Sequence, residues 1–245
     1  MISDNLVRSN QRLNTRTQKQ LNTNWKRILD LTLIVAVSPL FAVLFAAIAL
    51  YIRLVSRGPI LFIQKRVGHK GKVFSCLKFR TMHPEAETQV HSDYMAELMK
   101  HGRVMRKLDD AGDKRLIIGG AFLRATGLDE LPQLINVWRG EMSLVGPRPC
   151  TLYEYANYQP HHKRRFDSMP GLTGLWQISG KNKTTFEEMI ALDVRYTQTA
   201  SLGLDLKIML LTFPAILQQL TEHCWLCVSS WCGSLSRSQK PTEAA

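Results

Sequence analysis

The sequence is short of cysteine, of acid and of aromatics, and each shortage excludes something. Five cysteines in 245 residues are too few for a disulfide-rich secreted scaffold and suit a reducing compartment. Asp and Glu number 20 against 32 Lys and Arg, leaving a formal net charge of +12. A chain so short of negative charge calls for an anionic partner: nucleic acid, anionic lipid or a phosphorylated small molecule. Aromatics make up only 8%, a poor supply for the stacking surfaces with which single-stranded nucleic acid is held. The sequence contains no internal repeat and no G-x-x-x-x-G-K-[ST] phosphate loop. Hydrophobic residues at 45% and charged residues at 21% rule out global disorder. The length suits one domain with appendages.

What is present begins with one long uncharged run, Leu31 to Leu50, reading LTLIVAVSPLFAVLFAAIAL. Twenty such residues in a helix cover roughly the 30 Å hydrocarbon core of a bilayer. The buried helix of a soluble protein is the alternative, but it would show a polar stripe. Basic residues flank the run on both sides. Arg8, Arg12, Arg16, Lys19, Lys26 and Arg27 precede it; Arg53, Arg57, Lys65, Arg66, Lys70, Lys72, Lys78 and Arg80 follow, with no acid until Glu85. A single span concentrates Lys and Arg on one side, and charge near a bilayer surface also binds anionic headgroups. Near the middle lies Ser38-Pro39, where proline removes a backbone hydrogen bond and kinks a helix. Two readings stand on these residues: a hairpin that breaks at Ser38-Pro39 and returns to the same face, or a kinked single span.

The remainder reads as a helix-rich α/β body resting against a membrane. Pro59 to Gln64 and Val73 to Phe79 form a hairpin around Gly68-His69-Lys70-Gly71. Helices are expected over Glu85–Lys100, Gly119–Thr126, Pro132–Trp138, Tyr153–Arg165 and Thr185–Thr197, with a loop from Arg139 to Pro149. Ser201 to Leu220 is apolar but interrupted by Asp205, Lys207 and Pro214, which suits one or two amphipathic helices lying in the interface. The organisation is a polar extension (1–24), the membrane helix (25–53), a catalytic unit with interfacial helices (54–220) and a tail (221–245). The tail holds His223, Cys224, Cys227 and Cys232. A Cys-x-x-Cys beside a histidine admits zinc, but the second pair that a structural site needs is missing.

Four strings carry chemistry. Asp129-Glu130 precede Leu131-Pro132, where two acids either cap a helix start or divide labour, one holding Mg²⁺ and one attacking phosphorus. In Ser143-Leu144-Val145-Gly146-Pro147-Arg148-Pro149 an arginine is fixed between two prolines, ready to fork onto a phosphate or a base carbonyl or to cap a helix. Lys78 and Arg80 alternate along a strand and share a face, either as a phosphate clamp joined by Lys65 and Arg66 or as a solvated edge. The string Pro170-Gly171-Leu172-Thr173-Gly174-Leu175-Trp176-Gln177-Ile178-Ser179-Gly180 offers glycines for close approach to a ligand. Its tryptophan packs either on a sugar or base or in the core.

Taken together and in order, QKRVG (64–68), KFRTM (78–82), FLRATGLDELPQLINVWRGEMSLVGPRP (122–149) and PGLTGLWQISG (170–180) resemble the bacterial sugar transferase family, the monotopic polyprenyl-phosphate sugar-1-phosphate transferases. The likeness runs from about Trp25 to Leu220, and is strongest to members that start exopolysaccharide or O-antigen units. It implies a re-entrant helix hinged at Ser38 and Pro39. It further implies transfer of a hexose 1-phosphate, galactose or glucose, from a UDP-sugar to undecaprenyl phosphate, with UMP released. By the same resemblance Asp129 is the nucleophile and Glu130 the Mg²⁺ ligand. Pro147, Arg148 and Pro149 lie near the nucleotide. The charges of Lys78, Arg80 and Arg148 make them candidate phosphate contacts, with Arg124 a further one of the same kind. The expected setting is the bacterial inner membrane with the catalytic unit facing the cytoplasm, anionic lipids around it, no nucleic acid, and a homodimer compatible with the sequence. A membrane-tethered nucleic-acid binder and an idle scaffold of a polysaccharide assembly complex are the rival classes.

Overall fold

An apolar helix that is not wholly immersed must bury one side on something, and the computed structural model shows what that is. It describes residues 2–83, 94–99, 104, 113, 115–180 and 184–237, with the backbone alone for 2–24, 219–220 and 222–237. Helix α1 spans Ile2–Val55 and runs through Ser38 and Pro39 without a break in its helical assignment. The Ser38 hydroxyl donates back to Val35 O at 2.8 Å. The polar segment 1–24, set apart in the sequence as an extension, continues into this same helix from Ile2. Among the described residues α1 has the one stretch long and apolar enough to cross a membrane, Trp25–Val55, whose most apolar 18 residues have a mean hydropathy of 2.7.

One side of α1 is a wall of the core. Ile34 and Phe41 pack with Phe74, Leu134 and Val137, while Phe45, Ile48 and Ile52 pack with Phe79, Ile117 and Leu123. The other side exposes Val35, Leu40, Val43, Leu50 and Leu54. Polar contacts fasten both ends to the body. Lys26 Nζ donates to Tyr196 Oη at 2.8 Å and to Asp205 at 2.5 Å. Arg27 donates to the Val137 and Trp138 carbonyls, and Tyr51 Oη donates to Ile118 O at 2.9 Å.

The expected hairpin is present as β1 (Leu61–Val67) and β2 (Val73–Phe79), paired antiparallel from Leu61↔Phe79 to Val67↔Val73. At its turn Lys70 takes a left-handed backbone, φ 54°. Beyond it lie α2 (residues 94–99), α3 (Gly120–Thr126), a 3-10 turn Leu128–Glu130 and α4 (Gln133–Arg139). The sequence left 139–149 as a loop, yet it holds β3 (Ser143–Val145), paired in parallel with β5 (Gly171–Thr173). Strands of three residues carry no readable period. β4 (Cys150–Thr151) adds to β1, giving the order β2-β1-β4.

The helix expected over Tyr153–Arg165 is in fact α5 (Leu152–Ala156) and a 3-10 helix His162–Asp167. Pro160 lies between them, where it cannot supply the N–H a continuous helix requires. α6 (Leu175–Ile178) and α7 (Phe186–Thr199) follow. Thr185 and Glu188 close a capping box on α7. α8 runs Leu202–Arg237 through Pro214, so it takes in most of the segment set apart as a tail. Its exposed Leu206, Leu210, Phe213 and Leu217 form an apolar face.

Asn136 ties α4 to the hairpin. Fully buried, it accepts from Leu77 N at 3.0 Å and donates to Ser75 O at 2.8 Å. Asn136→Ala should destabilise the protein by about 1–3 kcal/mol, because the buried Leu77 N–H loses its acceptor; chemical denaturation in detergent measures it.

Candidate active site

The four strings meet along one face of the hairpin. A shallow cleft is lined by Arg66, Cys76 and Lys78 of the hairpin and by Glu130, Gln133, Arg148, Pro149, Gly171, Leu172, Trp176 and Gln177. The register sets the hairpin's contribution: Gln64 faces Cys76, Arg66 faces Phe74 and Phe62 faces Lys78, so Arg66, Cys76 and Lys78 share one side of the ladder.

The acid pair sits in the 3-10 turn Leu128–Glu130, between the left-handed Gly127 (φ 73°) and Pro132, the residue that opens α4. The two acids differ in surroundings. Asp129 is 7% exposed and is not among the residues that line the cleft. Glu130 does line it, with its side chain 36% exposed and 2.6 Å from Lys78 Nζ.

Of the expected cations the cleft gathers Lys78 and Arg148 and leaves two aside. Arg80 follows the last residue of β2 and turns inward, donating to the carbonyls of Pro59, Arg57 and Ser56. There it closes the C-terminal exit of α1, where helix carbonyls lack partners. Arg124 is half-buried in α3. The Asp113 carboxyl is held below the ordinary range chiefly by the Arg115 side chain, with the Arg124 charge adding to it. Of the hairpin's other cations, Lys65 donates to Ser75 Oγ, whereas Arg66 reaches the cleft.

The Pro147-Arg148-Pro149 loop is held by its own backbone carbonyls. Arg66 Nη1 donates to Pro149 O at 3.1 Å, and Arg165 Nη2 donates to Arg148 O at 2.8 Å. Arg165 also donates to Tyr158 Oη at 2.7 Å and to Asp193. Both partners of the Arg165–Asp193 pair are fully buried. Burial pushes the Asp193 carboxyl up to about 6 against the pull of Arg165. Arg165 stays charged because Tyr158 and Asp193 outweigh its own burial.

Glycines serve this loop, though not as the sequence suggested. Methyl groups on Gly146 or Gly171 would run into the backbone of the facing segment, because Gly146 N donates to Thr173 O and Gly171 N to Pro147 O, each at 2.8 Å. The close approach is between two main chains. Trp176 is 5% exposed, packs in the core and donates to Thr184 Oγ1 at 2.8 Å; its ring is a wall of the cleft and not a platform in it.

Arg66, offered by the sequence with Lys65 as a partner of the Lys78 clamp, does line the cleft, whereas Gln133 and Glu154 were not singled out. Glu154 had a signal only as the third residue after Thr151, a capping spacing. A second polar group, His161, His162 and Glu187, brings its ligand atoms within 4.8 Å. With His162 Nδ1 accepting from Gln159 N at 3.3 Å, the neutral ring carries its proton on Nε2, where Glu187 accepts it at 3.2 Å. That arrangement is satisfied without a metal.

The family model described as "Bacterial sugar transferase" matches residues 21–219. The "Galactosyl transferase CpsE" of Streptococcus agalactiae is 47% identical over 161 residues, 65% of this chain and 35% of that one. The "Exopolysaccharide production protein ExoY" of Sinorhizobium fredii is 40% identical over 185 residues, 75% of this chain and 79% of its own. The "UDP-glucose:undecaprenyl-phosphate glucose-1-phosphate transferase" of Caulobacter vibrioides is 42% identical over 200 residues, 78% and 69% of the two chains. The chain thus spans about a third of the first relative and more than two thirds of the other two.

Arg165→Met should destabilise the fold by about 3–5 kcal/mol, since it strands the buried Asp193. Urea unfolding of this variant beside wild type and Asp193→Asn measures it, and Asp193→Asn in the same background should recover part of the loss.

Proposed function

The chain belongs to the bacterial sugar transferase family, and on that premise we propose that it transfers a hexose 1-phosphate from a UDP-sugar to undecaprenyl phosphate. The observation that carries the proposal is the joining, at one cleft, of Glu130, which follows Asp129 in the same turn, with the cations Lys78, Arg66 and Arg148. Sugar diphosphate and lipid phosphate are both anions, and three cations offset the repulsion that an attacking carboxylate would otherwise meet. Relatives are named for glucose-1-phosphate and galactose phosphate transfer to undecaprenyl phosphate; galactose or glucose is accordingly the proposed sugar.

In the proposed reaction a carboxylate oxygen of Asp129 attacks the phosphorus that bears the sugar. The bridging P–O bond breaks and UMP leaves with its electron pair. An oxygen of undecaprenyl phosphate then attacks the same phosphorus, breaking the bond to Asp129 and restoring the carboxylate. No net proton moves. Lys78 and Arg148 orient the phosphates, and Asp129, shielded from water in its turn, is kept from hydrolytic side reactions.

The donor set suits Mg²⁺, a hard cation that takes one or two carboxylates and completes its shell with phosphate and water. Glu130 would hold it, with Lys78 Nζ released from the carboxylate it meets at 2.6 Å. Bound there, the ion would supply Lewis-acid stabilisation of phosphate charge.

The membrane reading extends to topology. We place the protein on the cytoplasmic face of the bacterial inner membrane, with both ends of the apolar run of α1 held at that face. Lys26 and Arg27 before the apolar run and Tyr51 and Ile52 after it dock on one body. A transmembrane span would have to break one of these sets. Anionic headgroups suit the basic residues on both flanks.

UMP release from a panel of UDP-sugars with undecaprenyl phosphate and Mg²⁺ tests the function; no release with any sugar defeats it and favours an idle scaffold. Asp129→Asn should lower turnover by at least about 10³-fold and abolish trapping of radiolabelled sugar phosphate on the protein. Labelling that persists in this variant removes Asp129 as nucleophile. Reporter fusions at the two ends of α1 should report the same compartment, and opposite compartments would establish a single span.

A further inference from the structure

The buried carboxylate of Glu154 has two oxygens with different employment. Oε2 accepts from Thr151 N at 2.7 Å, and Thr151 Oγ1 accepts in return from Glu154 N at 3.1 Å, which closes the capping box at the start of α5. Oε1 has no hydrogen bond in spite of being fully buried, and it lies 3.7 Å from Arg148 Nη1. A helix cap needs one acceptor and no charge, since Gln serves the same box. Burying the second oxygen of a carboxylate without a hydrogen bond is costly unless a cation stands opposite. The Arg148 side chain, 29% exposed, bridges this buried oxygen and the cleft.

We propose that Glu154 is a positioning residue: its free carboxylate oxygen holds the Arg148 guanidinium in the orientation that meets the diphosphate of the nucleotide sugar. The backbone of Arg148 is already fixed by Arg165 and, one residue on, by Arg66. Those bonds set where the side chain starts and leave its direction free. Three guanidinium groups, Arg66, Arg148 and Arg165, act on Glu154. Without the carboxylate, repulsion from Arg66 would turn Arg148 toward solvent. This inference rests on reading the cleft as the nucleotide-sugar site, so its test needs a measurement that does not depend on turnover.

Glu154→Gln keeps the shape and the cap and removes the charge. Thr151→Ala breaks the cap and keeps the charge. Arg148→Ala completes a double-mutant cycle with Glu154→Gln. Each protein is measured for its Kd for inorganic pyrophosphate by calorimetry, for KM and kcat with the UDP-sugar, and for Tm. A more positive cleft would by field alone bind pyrophosphate more tightly, whereas loss of orientation weakens it, so the sign of the change decides. Glu154→Gln should raise Kd and KM about tenfold, with a smaller change in kcat. The same substitution in Arg148→Ala should add nothing. Thr151→Ala should lower Tm and leave Kd and KM unchanged.

Tighter pyrophosphate binding in Glu154→Gln, additive losses in the double variant, or a rise in Kd in Thr151→Ala equal to that in Glu154→Gln would each overturn the proposal. If wild type binds pyrophosphate through Arg148 and Glu154 but releases no UMP, the reaction assignment fails and the positioning role stands. If wild type binds no pyrophosphate, the positioning role fails.

Discussion

The site hangs on one guanidinium. Arg165 is fully buried and holds three groups at once: the Asp193 carboxylate from α7, the Tyr158 hydroxyl and the Arg148 carbonyl. A charge in that position is tolerable because both terminal nitrogens of its fork are hydrogen-bonded and a carboxylate stands opposite. The arrangement joins a helix, a 3-10 segment and the Pro147-Arg148-Pro149 loop, none of which shares a sheet strand with the others. Helix α7 contributes Asp193 and is itself started by the Thr185–Glu188 box. Its core residues Met189 and Ile190 pack with Phe166 and Trp176. The apolar core and the polar fork therefore fix the same segments, and the loop's carbonyls are set before a ligand arrives.

Opposite this pillar the loop meets the hairpin. Arg66 holds Pro149 O from the strand side, while the parallel pair of β3 and β5 holds Gly146 and Pro147 from the other. The result is an irregular loop with little backbone freedom, from which one side chain reaches into a cleft. Sites built in this way place charge without reorganising when substrate charge develops, which is the economical arrangement for phosphoryl transfer.

The sequence made some of this legible and hid the rest for physical reasons. The hairpin was readable because β1 and β2 are long and bounded by turn residues, and Val73 to Phe79 is found as expected. The acid pair and the Pro-Arg-Pro string read alone left helix capping open and were picked out by the ordered set of four strings, and the cleft gathers Glu130, Arg148 and Pro149. Parity grouped Lys78 with Arg80, but β2 ends at Phe79 and the rule lapses one residue later. Arg80 then finds the open carbonyls after α1, a tertiary circumstance that no local pattern encodes. The glycines of 170–174 were read as room for a ligand, whereas the room is taken by another main chain. Arg165 and Asp193 lie 28 positions apart, and nothing local in either segment marks them as partners.

The manner in which α1 is used has a practical consequence for anyone wishing to handle the protein. A membrane anchor is commonly pictured as a handle that can be cut away to leave a soluble enzyme. Here Ile34, Ile48 and Ile52 are core residues, and Lys26 and Arg27 hydrogen-bond to Asp205, Tyr196 and the carbonyls that end α4. Cutting the chain after Val55 would lay bare Phe74, Val137, Phe79 and Leu123. Helix α1 and the globular part share one packed core, so the helix is a wall of the protein and not a detachable handle.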